Sequence, residues 1–125
     1  MSLMDWSRLV ARANADGEFR LHARFWNASI RIDTGAGAVR IAIGDGRIAT
    51  VEPWGGRIAS DLSISASTDA WAEMLAPLPR PFYHDLAAAA VHHDVAFSGD
   101  IRHRCAYYGA VRRLVELMRE VHNCV

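Results

Sequence analysis

The stretch from Arg40 to Trp54, RIAIGDGRIATVEPW, constrains the fold of this chain more than any other. Asp45-Gly46 suits a tight turn that needs positive φ at both central residues, and apolar residues alternate with small or polar ones on either side. The spacing predicts a hairpin with Ile43 opposite Ile48 and Ile41 opposite Thr50, while Arg40, Ala42, Ala49 and Val51 share the other side. A lone hairpin is marginal in water, so the face bearing Ile41, Ile43 and Ile48 has to be covered by other elements.

The rest of the chain supplies partners. EFRLHARFWNASIRID alternates nearly unbroken, with Phe19, Leu21, Ala23 and Phe25 at odd positions and Trp26, Ala28, Ile30 and Ile32 at even ones. No turn residue separates Phe25 from Trp26, so the phase slip reads as a β-bulge in one long curved strand from Glu18 to Asp33. Thr34 to Gly37 turns the chain into the hairpin. Asp61 to Ser67 alternates again with Leu62 and Ile64 on one face, and Val95 to Gly99 reads as a brief strand. Residues 3 to 15 read as an amphipathic helix that Gly17 closes. Thr68 is placed to cap a short helix with Trp71, Met74 and Leu75 inward, and Phe82, Leu86, Ala89 and Ala90 mark another. The longest helix is expected from Asp100 to His122. Its stripe is Ile101, Cys105, Tyr108, Val111, Leu114, Val115, Met118 and Val121, widened by Tyr107, Ala110 and Leu117. The order implies an α+β fold: a twisted, mostly antiparallel sheet of about five strands with helices on one face. One domain over residues 1–125 is expected, with a helix in 1–17 and the sheet and its covering helices in 18–122.

The chain has 125 residues, enough for a core without disulfide or metal support, and its 51% hydrophobic and 22% charged residues are ordinary globular usage. Fourteen basic residues, all arginine, balance fourteen acidic ones, which argues against a nucleic-acid partner. No apolar run reaches the ~18 residues of a membrane-spanning helix, and MSLMDWSRLV lacks a signal-peptide core. Cys105 and Cys124 make no disulfide framework and read as free thiols, so a cytoplasmic setting is expected.

Candidate chemistry is sparse. TGAGAV has no helix after it and reads as a turn rather than a phosphate cradle. His84, Asp85, His92, His93, Asp94 and His103 lie within one stretch, but no pair has metal-ligand spacing on a helix, so no metal is assigned. In FSGDIRHR, Ser98 and Asp100 read as turn and cap residues, and His103 and Cys105 do not face each other. Arg112, Arg113 and Arg119 read as a solvated helix face. No catalytic residue and no cofactor is expected, and the chain reads as a binder more than an enzyme.

FRLHARFWNASIRID, the GDGRI turn, the serine strand leading into TDAWAEMLA, and VAFSGDI opening the last helix together resemble a sterol carrier protein type 2 domain, over Glu18 to Met118. Asp45, Gly46, Trp71, Gly99 and Asp100 stand where that family places its hairpin turn, its aromatic helix residue and the start of its last helix. PLPRPFYHD and AVHHDVAFSGD depart from the family's usual glycine-containing turns. The resemblance implies a non-catalytic carrier with a tunnel between sheet and helices for a fatty acyl, sterol or isoprenoid-like lipid. Its floor would be Ile30, Ile32, Ile41, Ile43, Ile48, Leu62 and Ile64, with Thr50 as a polar point. Trp71, Leu75, Phe82 and Leu86 would also contact the ligand, as would Tyr108, Val111, Leu114, Val115 and Met118 of the last helix, which roofs the sheet. Pro77 to His93 would be the gate. Two alternatives stand beside this reading. One is an interaction or dimerisation module without a pocket, using the wide helix stripe and Trp54. The other is a small acid–base enzyme using His84 or His103.

Overall fold

The computed structural model describes residues 4–54, 56 and 59–124. Its helices are α1 (Trp6–Ala15), α2 (Gly17–His22), α3 (Thr68–Met74), α4 (Leu86–His92), α5 (Ile101–Ala106) and α6 (Tyr108–His122). The strands are β1 (Ala28–Asp33), β2 (Ala38–Gly44), β3 (Arg47–Pro53), β4 (Leu62–Ala66) and β5 (Val95–Gly99), in the sheet order β3-β2-β1-β4-β5. Only β1 and β4 run parallel, so the five-stranded, mostly antiparallel α+β reading holds.

The hairpin turns at Asp45 and Gly46 with φ of 50° and 76°, as the dipeptide requires. Ile43 faces Ile48, but a bulge then shifts the register. Thr50 pairs with Ala42, and Val51 rather than Thr50 lies opposite Ile41. The extra residue turns Thr50 outward, where its hydroxyl donates to Glu52.

The predicted long strand from Glu18 is corrected to a helix, a turn and a shorter strand. Asp16 caps α2 by accepting from the Phe19 N–H at 2.8 Å. Phe19 and Ala23, four apart, are buried, whereas Leu21 between them is exposed. The slip between Phe25 and Trp26 marks a chain reversal, with Phe25 at φ 68°. Ser67, not Thr68, caps α3, accepting from the Ala70 N–H. Phe82 stays outside α4.

The predicted final helix is two. Asp100 caps α5 as expected, but at Tyr107 (φ −120°, ψ 20°) the axis breaks. The break leaves Ile101 and Cys105 exposed and stacks Tyr107 on Trp26 at 4.7 Å. It also lets α6 cross α2 closely, because a Cβ on Gly109 would stand 2.7 Å from the His22 ring. From Ala110 to Val121 the apolar face of α6 is buried in one core with the inner residues of the sheet, and its backbone packs near α2 and α1.

Candidate apolar ligand site

Period-two alternation aims the floor. Ile30 and Ile32 of β1, Ile41 and Ile43 of β2, Ile48 of β3, and Leu62 and Ile64 of β4 are all buried. Val111, Leu114, Val115 and Met118 of α6 lie in the same cluster, with Trp71 of α3, Leu75 just past its end, and Leu86 of α4. The Trp71 indole donates to the Asp33 carbonyl at 2.7 Å, which fixes this ring against the end of β1. Fourteen of the seventeen residues proposed from sequence are thus brought together in the buried cluster.

Three are not. Thr50 is exposed and lines a surface groove of about 290 Å³ with Trp6, Val10 and Val51. Phe82 is exposed and stacks on His92, 3.8 Å between centroids. Tyr108 is half-buried at the rim, where its hydroxyl is occupied by polar partners. Phe19, Ala23, Trp26 and Met74 join the cluster without having been proposed. The i, i+4 spacing of Phe19 and Ala23 was the available signal for the first two.

The buried side chains described are apolar with one exception, Ser29. Its hydroxyl donates to the Asp61 carboxylate at 3.4 Å and accepts from the Asp61 N–H at 3.2 Å, so it is satisfied just before β4. Hydrocarbon contact is therefore all the interior offers.

The segment between α3 and α4 is strapped to α6. Tyr108 donates to Asp85 at 2.7 Å and accepts from the Ala87 N–H at 3.0 Å. Burial first, and then the Asp85 carboxylate, push the Tyr108 phenol up to about 12. Arg119 donates to the carbonyls of Met74 at 2.9 Å and His84 at 3.2 Å, and burial lowers its pKa. Asn123 donates to the Leu75 carbonyl at 2.7 Å. Tyr83 stacks on His93 at 3.7 Å, and the His93 ring meets the Pro81 carbonyl at 3.0 Å. The stretch proposed as a gate is thus held by rings and backbone carbonyls.

The residues weighed for catalysis have structural partners. Asp100 caps α5 and pairs with Arg102, which holds its carboxyl at about 2. His103 accepts the Trp26 indole N–H at Nδ1, 2.9 Å away, which leaves Nε2 facing Asp61 at 4.0 Å. Trp54, considered for a docking surface, is half-buried with the Arg31 guanidinium 4.0 Å over its ring.

No family model and no curated protein matches the chain. Solved structures do. A crystal structure of sterol carrier protein 2 superposes with a TM-score of 0.71 at 23% identity, covering 94% of this chain and 96% of that one. The fold is that of sterol carrier protein 2. A conserved hypothetical protein of Thermus thermophilus, offered as a sterol carrier protein, gives 0.68 at 24% identity over 97% and 90% of the two chains. The ubiquinone synthesis protein UbiJ-SCP2 gives 0.56 at 13%, over 95% and 88%. In this sterol carrier protein 2 fold, the stretches that carried the likeness are the β2–β3 turn, α3 and the β5–α5 junction. Among the described residues no helix is long and apolar enough to cross a membrane.

Proposed function

We propose that the protein binds and carries an apolar molecule, a fatty acyl, sterol or isoprenoid-like lipid, between the inner face of its sheet and α6. The observation that carries this reading is the interior itself: a continuous apolar slab in which, among the described residues, the one buried polar residue, Ser29, has its hydroxyl already satisfied. The sterol carrier protein 2 fold supports it, since two of the similar structures bear a sterol carrier name and the third a ubiquinone synthesis name.

The energetics set the mode of binding. Burying a sixteen-carbon chain offers about 12 kcal/mol at ~0.8 kcal/mol per methylene, before the costs of ordering the chain and parting the core. Side chains such as Ile32, Leu114 and Met118 are fully buried against their neighbours, so binding would displace them. The segment from Pro77 to His93 would be the gate: α4 anchors it on β5 through Leu86 and Ala89, and its ties to α6 are a few polar contacts. Native mass spectrometry of the purified protein, and uptake of fluorescent fatty acid and sterol probes, test the reading. Co-purified lipid, and uptake reduced by Val115→Trp in a folded variant, are expected. A lipid-free protein that takes up neither probe overturns it.

A further inference from the structure

A second concavity lies outside the buried cluster, where the end of α2 meets the β2–β3 turn. It measures about 480 Å³ and is lined by Gly17, Arg20, Leu21, Arg24, Phe25, Asp45, Gly46 and Arg47. Its two walls are locked together. Gly46 donates to the Trp26 carbonyl at 2.9 Å, the Asp45 N–H donates to Asn27 at 3.0 Å, and a Cβ on Gly46 would meet the Ala23 carbonyl at 2.8 Å. The shape is therefore set before any ligand arrives.

The lining has an unusual composition for an unused surface. Among the described residues, none of Arg20, Arg24 and Arg47 has a carboxylate partner, whereas six of the other ten arginines do. Arg24 instead lies 5.6 Å from the centroid of the Phe25 ring. Phe25 is 74% exposed at φ 68°, a strained setting for a bulky aromatic, and Leu21 is 59% exposed beside it. Neither side chain belongs to the buried cluster.

Three guanidiniums against the single carboxylate of Asp45 leave two positive charges, which match the roughly two negative charges of a phosphate monoester. Exposed hydrocarbon adjoins those charges, so the complement has a charged head and an apolar continuation. We propose that this concavity binds the phosphate head of an anionic amphiphile, with Arg20, Arg24 and Arg47 on the head and Leu21 and Phe25 against its first methylenes. The site does not depend on the interior accepting a ligand.

Amide resonances of the full chain, followed during titration with dodecyl phosphate below its micelle-forming concentration, test the assignment. Saturable shifts at Gly17, Gly46 and Arg47 are expected, with inorganic phosphate shifting the same residues about tenfold more weakly. The folded double variant Arg24→Gln/Arg47→Gln should weaken both by about tenfold or more. Phe25→Ser should weaken dodecyl phosphate and leave inorganic phosphate unchanged. Phosphatidylcholine vesicles with and without phosphatidic acid separate the sources. Arginine-dependent sedimentation with the acidic vesicles alone, without shifts from the monomeric ligand, would assign the head to a bilayer lipid and support the site. No saturable response in either arm, or binding that the double variant retains, overturns the proposal.

Discussion

Tyr108→Phe deletes one oxygen from the strap between α6 and the gate segment, and its consequences can be worked from the contacts. The hydroxyl gives a 2.7 Å hydrogen bond to the Asp85 carboxylate and accepts from the Ala87 N–H. A hydrogen bond to a charged group contributes about 1.5–3 kcal/mol. Two features reduce that figure. Asp85 keeps Arg112 at 3.8 Å, and the Ala87 N–H lies where water can replace the phenol. A loss of about 1–2 kcal/mol remains, a factor of about 5–30 in an opening equilibrium. Arg119 still holds the carbonyls of Met74 and His84, so the loss should be local. Hydrogen exchange of the α4 amides should quicken by that factor while the β1 and β2 amides change little, and a bound fluorescent fatty acid should leave faster. There is also a pH signature. The phenol is raised to about 12 in the folded chain, so its contribution is complete below the ordinary tyrosine value of about 10 and is lost as pH climbs from there toward 12. The phenylalanine variant lacks that slope. Exchange in α4 unchanged within about twofold would refute the claim that this hydroxyl fastens the segment before α4 to α6.

Three further outcomes follow from the packing. Asp16 caps α2 and grips Arg113 through contacts at 2.9 and 3.0 Å, so a double-mutant cycle between them should give a coupling of about 1–2 kcal/mol in urea unfolding. The Arg113 hydrogen bond lowers the Asp16 pKa, so this contribution is present above about pH 4 and fades as acid takes pH below it; Asp16→Asn should flatten that limb. Gly99→Ala forces a Cβ against the Asp61 carbonyl at φ 127° and should cost about 2–4 kcal/mol in thermal unfolding; a near-neutral result would contradict the β4–β5 junction. Leu114→Ala in α6 should cost about 2–5 kcal/mol, and apolar probe binding should recover part of it by refilling the void.

Some of the site was legible from local chemistry. A strand's side chains alternate whatever surrounds it, so Ile30 and Ile32, Ile41 and Ile43, and Leu62 and Ile64 were bound to share faces once the strands were recognised. Other parts were ambiguous at short range. Phe19, Leu21 and Ala23 satisfy a strand as well as a helix over so few residues, and only the Asp16 cap and burial beneath α6 decide between them. The bulge that moves Thr50 away from Ile41 leaves the alternating pattern intact, so periodicity could not reveal it. The fastenings of the segment from Pro77 to His93 were invisible for another reason. Tyr108 to Asp85 and Arg119 to Met74 span 23 and 45 residues, and no local preference encodes such distances.

The chain's own order of residues determined the turn at Asp45-Gly46, the inward faces of the strands and the apolar stripe of α6, because each follows from backbone geometry within a few residues. Tertiary packing decided that residues 17–22 are helical, that the last helix breaks at Tyr107, and that three arginines and an exposed phenylalanine share one hollow. Those outcomes depend on which distant surfaces meet, and burial and hydrogen-bond satisfaction across the whole fold outweigh preferences of a few tenths of a kilocalorie per residue.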